Sequence, residues 1–198
     1  GKGGTGKSIV ATAIAQQMAR AGRNTLLAEI ATSDRSHFSR IHEFLDCEPL
    51  VHEPIELDEN LTAVQYNPMQ LLKEYIGIKL PGGTLAAKIF DNQVIQTFLQ
   101  TIPGLFDLVS LGKIWYQLNR THDYDCIVLD AHASGHCLNM LKVPKNFQKV
   151  TRIGPLYQDA TKVNRFLRDK NETAIVYLSI PEEIALSEAN AYHDKLQD

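Results

Sequence analysis

The first eight residues constrain this chain more than any others. Gly1-Lys2-Gly3-Gly4-Thr5-Gly6-Lys7-Ser8 satisfies the pattern G-x-x-x-x-G-K-[ST] at every position. Glycines there open backbone conformations closed to other residues, so successive N–H groups turn inward around an anion. A helix following such a loop adds its positive end. Lys7 then reaches the β- and γ-phosphates of a nucleotide, and the Ser8 hydroxyl can ligate Mg²⁺. A glycine-rich turn can match by chance, but this one opens into a helical pattern. Val10, Ile14, Met18 and Ala21 recur at spacings of four and three, and Gly22 is a stop signal. Gly1, Gly3, Gly4, Thr5 and Gly6 are therefore expected to supply the phosphate cradle.

The rest of the pattern predicts an α/β fold of the P-loop NTPase type. Strands are expected at 24–30, 61–66, 125–130 and 173–180. Helices are expected at 8–21, from Pro68 to Ile78, at Gly135–Lys142 and at 156–169, with a last one opening at Pro181-Glu182-Glu183. Residues 31–47 read as a loop and a helix, and the acidic stretch 48–60 as a solvated surface loop. Beyond the break at Pro81-Gly82-Gly83, residues 84–119 read as two or three apolar helices interrupted at Pro103-Gly104. Such alternation implies a mostly parallel sheet with helices on both faces and its ligand beyond the carboxyl ends of the strands. Residues 1–198 are read as one domain with a helical subregion at about 68–119. A loop of this kind ordinarily follows a strand, so one is expected upstream of Gly1.

Composition excludes several classes. The chain has 198 residues, 44% of them hydrophobic, and a net charge of −3, which gives no basic field for nucleic acid. Cys47, Cys126 and Cys137 form no C-x-x-C pair, which argues against a disulfide framework and a zinc clasp and suits a reducing, cytoplasmic setting. No apolar run approaches the roughly 18 residues that a membrane span needs.

Two further features sharpen the reading. Lys2, early in the loop, marks the deviant form of the Walker motif, in which this lysine reaches across a dimer to the partner's nucleotide; otherwise it is a solvated loop residue. Asp130 ends the apolar run Ile127-Val128-Leu129, the Walker B arrangement of an acid beside Mg²⁺; otherwise it caps the next loop.

Asp130-Ala131-His132-Ala133-Ser134-Gly135-His136, with Leu138, Leu141 and Pro144 after it, resembles the D-[TA]-x-x-[TS]-G-H segment of the arsenite-pump and tail-anchored-protein-targeting ATPases. Together with K-G-G-x-G-K-S the match spans most of the chain, and Val94 to Lys113 is similar to the helical region of bacterial members. The resemblance implies an ATP- and Mg²⁺-dependent homodimer or heterodimer in which Gly135 and His136 belong to switch II and move with the γ-phosphate. It also implies that the helices at 84–119 build a hydrophobic groove for a membrane-protein client. Apolar stripes at helical spacing are more often core, packing on each other and on the sheet. The family's adenine contacts would lie beyond Asp198.

The chain departs from the family where the water-positioning Asp of a D-P pair is expected. Counting from Gly22, that place holds Ala31, followed by Thr32. Glu29 and Asp34 are the carboxylates nearby, and either could orient water, or Glu29 simply ends its strand. Slow hydrolysis is the expectation. A non-hydrolysing scaffold that partners an active relative is the alternative that Ala31 favours. A positioning ATPase on membrane or nucleoid is disfavoured by the acidic balance.

Overall fold

A computed structural model describes residues 4–31, 41–79, 92–131 and 134–197. The hub is strand β1 (Thr25–Ile30), whose first four residues are buried. Strand β2 (Ile55–Asp58) pairs antiparallel with β3 (Leu61–Tyr66), while β3 and β4 (Cys126–Asp130) flank β1 in parallel, in the order β2-β3-β1-β4. Parallel neighbours need long crossovers, and helices supply them here.

Strand alternation then sorts the side chains onto two faces. Leu27, Leu61, Ala63 and Val128 meet helix α1 (Lys7–Arg20) through Ala11, Ala15 and Ala19. The helical face is therefore offset by one position from the expected Val10, Ile14 and Met18, which are only partly buried. Small alanines allow the helix to lie close to the sheet, and the larger residues flank that contact. Ile41 of the short helix α2 (Ile41–Leu45) joins the same cluster.

On the opposite face, Leu26, Ala28, Val64 and Tyr66 pack against helix α3 (Pro68–Lys79), through Leu71, Leu72 and Ile76, and against helix α5 (Leu105–Tyr116), through Leu105 and Val109. Leu99 of helix α4 (Gln93–Gln100) reaches the same cluster, yet no residue of α4 is fully buried. Helix α5 runs on into a π turn at Gln117–Thr121, where the Gln117 side chain accepts a 2.5 Å hydrogen bond from the buried Tyr66 hydroxyl. Burial pushes the Tyr66 phenol well above its usual range, so it stays a neutral donor. Helices α6 (Ser134–Thr151) and α7 (Pro155–Arg168) cover α5 through Leu111, Met140 and Val163 and through Leu108, Val143 and Ala160. Helix α8 (Glu183–Gln197) follows.

Three expectations change. Within 48–60, Ile55 and Leu57 turn inward while Glu56 and Asp58 face out, so an edge strand forms where a loop was expected. An edge strand with one solvated face accommodates acids readily. Helix α6 does not stop at Lys142 but continues through Pro144, whose burial beside Val143 and Phe147 offsets the lost hydrogen bond. Residues 173–180 do not join the sheet; Ile175 and Val176 are exposed, since β-branched composition supplies propensity but not a neighbouring ladder. No single described helix is long and apolar enough to cross a membrane; α4 and α5 with its π turn pass that test only together, and they are bent by 88°.

Polar ties hold α3 to its neighbours. Asp159 of α7 accepts hydrogen bonds from the Tyr75 hydroxyl at 3.0 Å and from Lys79 at 3.1 Å, and Lys162 lies 3.3 Å away. Glu74 accepts from Lys113 of α5 and from His52 Nε2, both at 2.8 Å, while His52 Nδ1 accepts from the Asn67 N–H. Burial raises both carboxyls, but these donors outweigh it and hold each below its ordinary range. A carboxyl whose folded pKa is depressed contributes stability above its unfolded pKa and loses it as pH falls through the folded one. Acidification from pH 6 to pH 3 is therefore expected to lower the urea midpoint. Asp159→Asn should shrink that drop; an undiminished drop assigns the acid sensitivity elsewhere.

Candidate nucleotide site

The loop before α1 is shaped by glycine. Gly4 and Gly6 lie at φ 83 and 80°, the left-handed region that side chains avoid. Among the described residues, and apart from the chain neighbours, no atom lies within 4 Å of where a Cβ would stand at either residue. Backbone conformation therefore favours glycine at both positions. Gly6 caps α1 while its carbonyl accepts from the Val10 N–H at 3.0 Å. No acid occupies the first turn and no side chain caps it, so the positive end of the helix is not offset there. Lys7 and Ser8 open that turn.

The sheet supplies the acids. Glu29 is in register with Gln65 on one side and Asp130 on the other. Two residues back along each strand, Leu27 and Val128 pack toward α1, so period-two alternation puts Glu29 and Asp130 on the α1 face as well. Both sit at the carboxyl edge, on neighbouring strands about 4.8 Å apart. The Gln65 amide donates a long 3.5 Å bond to Glu29. Beyond β1, the Ala31 N–H still donates to the Tyr66 carbonyl at 2.8 Å, so Ala31 marks the exit of the strand.

Gly135 and His136 are the second and third residues of α6, which opens four residues after Asp130. Cys137 follows; burial pushes its thiol up, and the Lys7 ammonium acts weakly in the opposite direction. His136 Nε2 lies 3.6 Å from Asp107 Oδ1 of α5. A Cβ on Gly135 would stand 3.7 Å from the Tyr192 hydroxyl of α8. Asp107 and Tyr192 escaped the sequence reading because these neighbours form only through long-range packing and leave no local pattern.

Among the expected site residues, Gly4, Thr5, Gly6, Lys7, Ser8, Glu29, Asp130, Gly135 and His136 are described; Gly1, Lys2, Gly3, Thr32 and Asp34 lie outside the described residues. The donor chemistry fits the implied ion, since a hydroxyl and a carboxylate are hard oxygen ligands of the kind Mg²⁺ takes together with phosphate oxygens. A different hollow, lined by Asn24, Glu56, Asp58, Glu59, Asp123 and Tyr124, opens at the amino ends of the parallel strands. Its carboxylates would repel a triphosphate, and it lies at the wrong edge of the sheet.

Comparison with known proteins identifies the family. The family model described as anion-transporting ATPase matches residues 1–158. The chain is 29% identical to the ATPase BagA of Mycobacterium tuberculosis, over 95% of this chain and 56% of that protein. It is 26% identical to a putative arsenical pump-driving ATPase of Halobacterium salinarum, over 100% of this chain and 32% of the other. It is 23% identical to the ATPase ASNA1 homolog 1 of Paramecium tetraurelia, over 95% of this chain and 66% of the other. The chain thus spans about half the length of the relatives it matches. On the match over residues 1–158, and on a fold that sets a P-loop beside a strand-end acid, the chain belongs to the anion-transporting ATPase family.

Proposed function

We propose that this chain is the nucleotide-binding part of a slow ATPase switch that works as a cytoplasmic homodimer or as a heterodimer with a related ATPase. The observation that carries the reading is the shared face of Lys7, Ser8 and Asp130: a helix start and a strand-end acid at one edge of one sheet. Backbone N–H groups of Gly1 to Gly6 surround the phosphates, and Lys7 sets its charge against the β- and γ-oxygens. Ser8 and Asp130 would hold Mg²⁺, which would supply positive charge beside the phosphoryl group being transferred. Catalysis by such a site is positioning and electrostatic stabilisation, with no covalent step for the protein. Lys2 reaches the nucleotide of the partner. Gly135 and His136 respond to the γ-phosphate. Glu29 or Asp34 orients water in place of the carboxylate that Ala31 lacks.

The finer reading is that an apolar segment of a membrane-protein client is the cargo. It is supported by α4, where Val94 is 75% and Phe98 64% exposed, four residues apart on one face. The alternative, a non-hydrolysing scaffold, is favoured by Ala31 alone.

Lys7→Ala is expected to weaken ATP·Mg²⁺ binding at least tenfold, about 1.4 kcal/mol, in calorimetric titration; unchanged affinity removes the phosphate assignment. Lys2→Ala should abolish the compaction or mass shift that a non-hydrolysable ATP analogue produces in sedimentation, and normal closure excludes the cross-dimer role. A placed carboxylate is worth roughly 10²–10⁴ in rate as a general base. Ala31→Asp should therefore raise phosphate release, and Glu29→Gln should abolish what wild type retains. Fast wild-type turnover indifferent to Glu29 and Asp34 contradicts the slow-switch reading.

A further inference from the structure

Helix α5 is fastened to the switch-bearing helix α6 along its length. At its start, Gly104 adopts φ 76°, and a Cβ there would stand 2.7 Å from Val143 Cγ2, so the Val143 side chain presses on the α5 entry where only glycine leaves room. One turn on, Leu108 packs with Val143, and Leu111 packs with Met140. These contacts are apolar and would hold any α5 against any α6. The Asp107–His136 pair at 3.6 Å differs in kind, because it is polar and reaches the third residue of α6, six positions after the strand-end Asp130. Asp107 is also the acid in the first turn of α5, so its carboxylate is oriented by the positive end of its own helix.

We propose that Asp107 is a positioning residue for switch II. Its carboxylate, 3.6 Å from the His136 imidazole, pairs with the protonated ring and so ties the start of α6, which opens four residues after Asp130, to α5 and the helical layer it anchors. The inference rests on the nucleotide reading and deepens it by naming the connection through which the γ-phosphate is felt outside the site. The pair is partly exposed, with side-chain accessibilities of 53% for His136 and 20% for Asp107. Its direct effect is accordingly modest, of the order of a two- to fivefold change in affinity. Coupling is reciprocal: whatever α5 contributes to ATP binding, ATP returns to α5.

The test uses the full-length protein with ADP and with a non-hydrolysable ATP analogue. In wild type the analogue, unlike ADP, should slow amide hydrogen exchange across α5. In Asp107→Asn that added protection should be lost and affinity for the analogue should fall about two- to fivefold, while affinity for ADP and the thermal midpoint stay as in wild type. Asp107→Glu should restore both. Equal protection of α5 in wild type and Asp107→Asn overturns the proposal, as does a wild-type α5 that responds identically to both nucleotides. Equal losses for ADP and analogue reduce Asp107 to a structural role and also overturn it. Failure of wild type to bind either nucleotide refutes the nucleotide reading itself, and calorimetry distinguishes that outcome.

Discussion

The site depends on one pairing: β1 lies between two parallel partners in a fixed register. Side chains alternate along a strand, so a slip of one residue would turn every one of them to the other face. Glu29 and Asp130 would then leave the α1 face, and Leu26 and Ala28 would be pulled from the cluster that holds α3 and α5. Burial on both faces makes such a slip costly, at roughly 25 cal/mol for each Å² of apolar surface returned to water. The hydrophobic effect thus sets the register, and the register sets which carboxylates look toward the phosphate loop.

Two layers of different character follow. On the loop side, alanines at 11, 15 and 19 keep α1 close to the sheet, so the helix start arrives level with the strand ends. On the other side the contacts are bulkier, and the helices are joined by polar ties at Glu74 and Asp159. The alanine face of α1 packs closely on the sheet, while charged pairs at the surface permit more adjustment.

Much of this was legible in the sequence, for identifiable reasons. The P-loop is a contiguous pattern whose glycine positions carry a backbone requirement, and Gly4 and Gly6 meet it. Asp130 was visible because an acid after three apolar residues is an abrupt change of chemistry. The alanine face of α1 was misjudged because hydrophobic size is a poor guide where close approach selects small residues. Strand β2 was hidden by its acids, although Ile55 and Leu57 carry the period-two signal between them. Pro144 suggested a helix end because proline lowers helix propensity, a local preference that burial overrides. Asp107 and Tyr192, the neighbours of His136 and Gly135, lie far from them in the chain and have no local signature.

Pro144 gives α6 a mechanical property. Proline offers no N–H, so the Met140 carbonyl loses its usual donor four residues on, and a helix bends at such points more readily than elsewhere. About 13 Å of helix separates Gly135 from Pro144, so a bend of about 10° there carries Gly135 through roughly 2 Å. A bend at residue 144 would make the first half of α6 a lever whose fulcrum is clamped by the close approach of Gly104 to Val143. Swinging its amino end would leave the far end of the helix, toward Thr151, at rest. Such a motion would pass sideways, into the neighbours that touch the lever arm.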